Sequence, residues 1–331
     1  MPLPIIGITM GDPSGIGPEI IVSSLSKDLS FLNCSLLVIG NSERLQNAAN
    51  VLSKSVTINI CKSIHSIIHN NNNNAIINCL DVIKIPNKLS YGSNSQIGGE
   101  TAYQCIKVAV ELALKNKINA ICTAPISKKA LHMAGHAFSG HTELLAYLTN
   151  TKEVSLMLAT PKLNVIHVTT HMGLIEAINK IEPELVFRTI ERGRKILLKC
   201  HKKEPRIGVC AINPHAGEEG IFGNGEEKEK IEPAIEKALS LQWNIKGPLA
   251  ADTLFYLASR GDFDLVVAMY HDQGHGPVKV MGIKNGINVT VGLPVIRTSV
   301  GHGTAFDIAG KGLADERNLV EALKKASEYL H

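Results

Sequence analysis

The sequence predicts an α/β protein with two subdomains, on three observations. Short apolar runs rich in β-branched residues alternate with helical stretches along the whole chain, the pattern of buried parallel strands covered by helices. At 331 residues the chain is longer than one hydrophobic core usually serves, so two subdomains sharing a cleft are expected. Three apolar runs also close on a histidine: His171 ends Asn164-Val-Ile-His-Val-Thr-Thr-His, His215 follows Gly208-Val-Cys-Ala-Ile-Asn-Pro, and His271 follows Leu265-Val-Val-Ala-Met-Tyr.

The first strand is Ile5–Thr9. The loop Gly11-Asp-Pro-Ser-Gly-Ile-Gly follows, and a helix begins at Pro18, since proline suits a first helical position. Ser35–Gly40 reads as the second strand, with a helix from Ser42. The polar, low-complexity run at 69–74 reads as a surface loop. An amphipathic helix over 100–116 leads into a strand at 118–123, then short helices at 127–133 and 142–148. Strands near 154–160 and 163–170 precede a long helix over 183–200. The strand at 207–213 opens into a glycine-rich loop at 214–224, and Pro233 should kink or restart the charged helix from Glu226. The run before His271, the strand Ile287–Val291, a glycine-rich loop at 301–312 and a helix from about Glu316 complete the chain.

Hydrophobic residues make up 44% and charged residues 19%, an ordinary balance for a globular enzyme. The net charge of +4 is small, and aromatics at 4% leave few platforms for base stacking, which excludes nucleic acid as a partner. Seven scattered cysteines without a Cys-x-x-Cys pair read as reduced thiols of a cytoplasmic protein. The N-terminus lacks the basic region of a signal peptide, and no apolar stretch approaches a membrane span.

Open α/β sheets bind ligands at the carboxyl ends of their strands. Three imidazoles delivered to that edge look like a metal site, although each alone also reads as an inert, hydrogen-bonded strand-end histidine. Histidine nitrogen and carboxylate oxygen suit zinc, nickel, cobalt, manganese or iron. The richest segment is His271-Asp-Gln-Gly-His-Gly-Pro-Val-Lys, with Asp272, His275 and Lys279 beside His271. Asp252 is a further carboxylate, readable also as a helix N-cap.

Gly11-Asp-Pro-Ser-Gly-Ile-Gly has neither dinucleotide-fold spacing nor a P-loop lysine, and stays open between a tight turn and an anion site. Gly140-His-Thr-Glu starts a helix, where His141, Thr142 and backbone amides could converge on a phosphate or simply cap. Lys128 could add charge there, or be solvated. The loop of His302, Gly303, Thr304 and Asp307 could wrap an adenosine.

These segments, with Thr169-Thr-His, Asn213-Pro-His-Ala-Gly-Glu, Ala251-Asp-Thr-Leu-Phe, Met269-Tyr-His-Asp-Gln-Gly, Gly292-Leu-Pro and Ile296-Arg-Thr-Ser, together resemble the PdxA family over nearly the whole chain. The resemblance implies an isocitrate/isopropylmalate dehydrogenase-like α/β fold, with two subdomains flanking a cleft: residues 1–122 plus 285–331, and 123–284. It implies a 4-hydroxythreonine-4-phosphate dehydrogenase, or the branch acting on D-threonate or D-erythronate 4-phosphate, hence pyridoxine biosynthesis or D-threonate catabolism. The reaction would be oxidation with decarboxylation, using NAD (or NADP) and a divalent ion (zinc, magnesium, cobalt, manganese or nickel). The resemblance also implies a homodimer with a shared active site.

By the same resemblance His171, His215 and His271 hold the metal, one of them supplied by the partner chain. His141, Thr142, Lys279, Asn288 and Arg297 contact substrate. Lys279, Asp252 and Asp272 move protons, and His302, Gly303, Thr304 and Asp307 hold the cofactor. Gly301 replaces the family's usual Asp, which removes one polar group near that loop. Gly274-His-Gly-Pro-Val-Lys resembles the D-threonate branch and makes His275 the residue expected to sense a C2 hydroxyl in place of an amine. A metal-dependent hydrolase or aldolase of a phosphorylated sugar acid, and a non-catalytic phosphate-ligand-binding homologue, are the competing readings.

Overall fold

The computed structural model describes residues 3–68, 75–86, 89–201, 203–282 and 286–331; the polar run at 69–74 lies outside them. The elements run β1 (Ile5–Thr9), α1 (Gly17–Leu25), β2 (Ser35–Gly40), α2 (Ser42–Val51), β3 (Thr57–Ile60), β4 (Ile76–Asp81), α3 (Gln96–Leu114) and β5 (Ala120–Thr123). Next come α4 (Lys128–Met133), α5 (His141–Leu148), β6 (Ser155–Ala159), β7 (Asn164–His167), α6 (Leu174–Lys180), α7 (Pro183–His201) and β8 (Ile207–Cys210). The chain ends with α8 (Glu232–Ser240), β9 (Ile245–Leu249), α9 (Ala251–Ser259), β10 (Leu265–Ala268), α10 (His271–Gly282), β11 (Ile287–Val291), β12 (Ile296–Val300) and α11 (Arg317–Glu328). The α/β expectation holds.

Two compact units emerge, Met1–Val154 with Leu293–Leu330, and Ser155–Gly292. In the first unit the strand order is β3-β4-β2-β1-β5-β12, all parallel. Both faces of β1 are covered, which is why Ile6 and Ile8 are fully buried and the run is continuously apolar. In the second unit the order is β11-β6-β7-β10-β8-β9. Here β11, β6 and β7 pair antiparallel, while β7, β10, β8 and β9 are parallel. Its core joins Leu158, Val165, Leu254, Phe255, Val266 and Val278.

Local chemistry sets several boundaries. The Ser95 side chain accepts from the Gly98 amide, so α3 begins ahead of the expected 100. Pro233 does restart its helix: a π-turn at Glu227–Ile231 gives way to α8 with proline in the first turn. The Gly-rich stretch after His271 forms a helix despite Gly274, Gly276 and Pro277, residues that disfavour one. Gly274 is needed there, because a Cβ would stand 2.2 Å from His167 Nε2. Among the described residues no helix is long and apolar enough to cross a membrane. All seven cysteines are free.

Asp12, in the loop after β1, is fully buried and accepts from the Ser14 amide at 2.9 Å. Burial raises its pKa to about 6, against the opposing pull of that amide and of Arg44. The unfolded chain therefore loses this proton at lower pH than the folded one, and stability falls as pH rises from the ordinary carboxylate range through 6. The penalty reaches at most about 3 kcal/mol above neutrality. Asp12→Asn is expected to stabilise the protein at about pH 8 and much less at about pH 4, with Arg44, Glu19 and Tyr91 unchanged around it. Urea unfolding at the two pH values checks this, and equal gains would refute it.

Candidate active site

The second unit brings strand exits together. β10 lies between β7 and β8, parallel to both, so the chain after each leaves from the same edge. Those exits carry His171, His271 and His215. Thr169 binds the Met269 carbonyl with both its amide (3.2 Å) and its hydroxyl (2.7 Å). Gln273 accepts from the Met269 amide and donates to the Ala211 carbonyl, each at 2.7 Å. One side chain thus ties the exits of β10 and β8.

The rings of His171 and His271 stand 5.9 Å apart between centroids. His271 Nδ1 pairs with Asp272 Oδ1 at 2.7 Å, which leaves Nε2 as the ring nitrogen available to a ligand. His275 stacks on His271 at 3.7 Å, and its Nδ1 lies 3.1 Å from His167 Nε2. His167 Nδ1 faces the Leu156 carbonyl at 3.2 Å. A carbonyl only accepts, so His167 donates from Nδ1 and accepts at Nε2 from His275 Nδ1–H. His275 Nε2 then keeps its lone pair. Burial first, then neighbouring histidines, lowers His167 to about 3 and His275 to about 4, so both are neutral at physiological pH.

His215 is presented differently. Residues 215–219 are all left-handed, with φ of 53°, 56°, 81°, 40° and 56°. Such a run costs about 1–2 kcal/mol per non-glycine residue and persists only where the surroundings hold it. The buried Glu227 carboxylate does so, accepting from the amides of Ile212 (3.0 Å) and Asn213 (2.7 Å) and from Asn213 Nδ2 (3.0 Å). Glu226 accepts from Asn213 Nδ2 at 2.9 Å and from the Asn224 amide at 2.7 Å. The Asn224 amide is the largest cause that lowers Glu226 to about 2. His215 itself is exposed, near the Phe222 ring.

Among the described residues, no group of three or more His, Cys, Asp or Glu side chains within one chain could hold a metal ion. Two imidazoles of the expected three therefore meet, and their donor chemistry suits a divalent ion that gains a third donor. The other expected residues of this unit lie as follows. Asp252 is exposed in the first turn of α9, its Oδ1 accepting from the Thr253 amide at 2.8 Å; the N-cap is Ala250. Asp272 and Lys279 are exposed on α10, and Asn288 is half-buried on β11.

In the first unit, α5 starts from Gly140 with His141 and Thr142 in its first turn and no side-chain cap. His141 Nε2 is buried without a hydrogen-bond partner, while the ring also bonds the Ala124 backbone. Burial, then the charge of Arg297, holds His141 well below the usual histidine range. The neutral ring donates to that backbone carbonyl, so Nε2 is an acceptor, suited to a hydroxyl more than to a phosphate dianion. Arg297 on β12 is buried, donates to Thr123 Oγ1 at 2.6 Å, and is lowered by burial to about 10. Lys128 is exposed.

His302, Gly303 and Asp307 are exposed and Thr304 is half-buried. The Gly301 amide donates to Asn318 Oδ1 at 2.5 Å. Residues that the sequence did not single out are His167, Gln273, Glu227 and Thr123. His167 lay in an apolar run, Gln273 in the segment from His271 and Thr123 at the end of an expected strand, which leaves Glu227 without a signal.

Residues 32–326 match the family model described as Pyridoxal phosphate biosynthetic protein PdxA. The chain is 58% identical over 326 residues to D-threonate 4-phosphate dehydrogenase of Cupriavidus necator, covering 98% of this chain and 97% of that one. It is 43% identical over 325 residues to D-threonate 4-phosphate dehydrogenase of Salmonella typhimurium, covering 98% of both. A crystal structure described as a 4-hydroxythreonine-4-phosphate dehydrogenase from Burkholderia phymatum superposes with a TM-score of 0.89 and 56% identity, covering 99% of this chain and 98% of that one.

Proposed function

Since the chain belongs to the PdxA family, we propose that it oxidises D-threonate 4-phosphate, with NAD as hydride acceptor and a divalent ion bound by His171, His271 and His215. It is an oxidoreductase of phosphorylated hydroxy acids. The observation that carries the metal reading is the pairing of His171 with His271 at the shared exit of β7 and β10. The active form is a homodimer in which the second copy completes the three-imidazole set, a reading supported by the meeting of only two of them within one chain.

Bound there, the ion would lower the pKa of the C3 alcohol and favour negative charge on its oxygen during oxidation and loss of the carboxylate. The remaining work falls to the chain. Asp272 holds His271 in its ligand tautomer. Lys279, Asp252 and Asp272, all exposed, exchange protons with substrate and solvent. Arg297 is a cation held in place for the phosphate or carboxylate, and the first turn of α5 at Thr142 adds backbone amides. His141 Nε2 accepts from a substrate hydroxyl, and Asn288 contacts substrate. His302, Gly303, Thr304 and Asp307 take the nucleotide.

The test is growth of reduced-nicotinamide absorbance with NAD, a panel of divalent ions, and either D-threonate 4-phosphate or 4-hydroxythreonine 4-phosphate. The expected result is a higher kcat/KM for the C2 hydroxyl compound; no absorbance growth with either would overturn the proposal. Sedimentation and bound-metal content report the dimer and its ion. His275→Leu removes the Nε2 acceptor and is expected to change the preference between the two substrates by about tenfold, the effect of one hydrogen bond. An unchanged ratio removes His275 from substrate choice.

A further inference from the structure

Four amides of the first glycine-rich loop are engaged within the protein. Within it the amide of Asp12 donates to the Pro125 carbonyl, Ser14 to Asp12 Oδ1, Gly15 to the Asp12 carbonyl and Ile16 to the Thr304 carbonyl, at 2.9–3.0 Å. The last of these reaches the loop at 301–312. Gly15 backs directly on Thr304, where a Cβ would stand 2.9 Å from that residue's Cβ and carbonyl oxygen. Glu19, fully buried in the first turn of α1, accepts from the Gly310 amide. Gly312 is the next backbone donor facing the carboxylate, whose Oε2 is buried without a hydrogen-bond partner. Both glycines have left-handed backbones, with φ of 79° and 68°. Gly310 also rests on the Tyr91 ring, which Arg44 covers from 3.5 Å.

We propose that Glu19 is a positioning residue for the nucleotide, fixing the 301–312 loop by holding its Gly310 amide, with the Gly11–Gly17 segment as a buttress. This rests on the reading of that loop as the cofactor loop. The carboxylate touches neither substrate nor nucleotide. It acts by holding a left-handed, glycine-rich backbone in one shape before the nucleotide arrives, so its loss costs nucleotide affinity and leaves the chemistry alone.

The test uses Glu19→Gln in the full chain, followed by amide hydrogen exchange without ligand, NADH affinity by fluorescence, and steady-state kinetics. With the carboxylate's bond to Gly310 reduced to that of a neutral amide oxygen, exchange at Gly310 is expected to quicken by about tenfold, and the NADH Kd and NAD KM to rise about as much. kcat and the KM for the phosphorylated substrate should hold within about twofold. Gly15→Ala, which displaces Thr304 and leaves the carboxylate intact, should weaken NADH in the same way, and serves if Glu19→Gln does not fold. Unchanged exchange, or faster exchange with unchanged NADH affinity, would overturn the role of Glu19. Failure of NADH to slow exchange anywhere in 301–312 of the unaltered protein would instead overturn the cofactor reading beneath it.

Discussion

His215→Ala is expected to lower turnover by about a thousandfold at ordinary metal concentrations, the scale of the several kcal/mol a bound divalent ion contributes to an alkoxide-forming step. The fold should survive. His215 is exposed, and its left-handed turn is held from outside by Glu227 and Glu226. Losing a strand-exit imidazole should therefore move the melting temperature little and the bound-metal content a great deal. Excess divalent ion should restore part of the activity, since two imidazoles remain. Kinetics with and without a chelator, beside metal analysis and thermal melting, separate these effects. Near-normal turnover of the variant in metal-free buffer would end the metal reading.

The reason His215 was legible, and its supports were not, is physical. A continuous apolar run bounded by glycine or proline marks a buried strand, and the residue after it must emerge at the sheet edge. That logic locates His171, His215 and His271 from the sequence alone, and the adjacency of β7, β10 and β8 agrees with it. It cannot locate Glu227, whose bonds to Ile212 and Asn213 form only after the chain has turned through five left-handed residues. Gln273 is hidden for the same reason, because its partner Ala211 is 62 positions away. His167 lay within a run read as extending to 170, so its pairing with His275 had no periodic signature. Short edge strands such as Thr57–Ile60, half-exposed and four residues long, carry too few apolar positions to stand out from loop. The helix of His271–Gly282 was masked by its own glycines and Pro277, and its attachment through Gln273 is a tertiary effect.

Arg297→Lys is expected to lower kcat/KM for the phosphorylated substrate by about two orders of magnitude near pH 7, a loss of roughly 3 kcal/mol for one partner of a buried charged contact. The fall should lie mainly in KM if the anion held is the phosphate, which does not react, and in kcat as well if it is the carboxylate that is lost. Lysine keeps a positive charge but not the planar fork that bonds Thr123 Oγ1 while facing a ligand. Burial already lowers the guanidinium from 12.5 to about 10. The same burial acting on an ammonium, whose ordinary value is about 10.4, pushes it down in the same direction. The sign follows: desolvation disfavours the charged form, so the lysine is protonated below its lowered value and loses its charge as pH rises through it. Arg297 stays charged across the same range. The ratio of unaltered to variant kcat/KM should therefore widen as pH rises and the variant's lysine loses its charge. Kinetics from about pH 6.5 to 9.5, with circular dichroism to confirm folding, test the expectation. A ratio that stays flat across that range would mean that the buried cation at this position does not hold the substrate's anionic group.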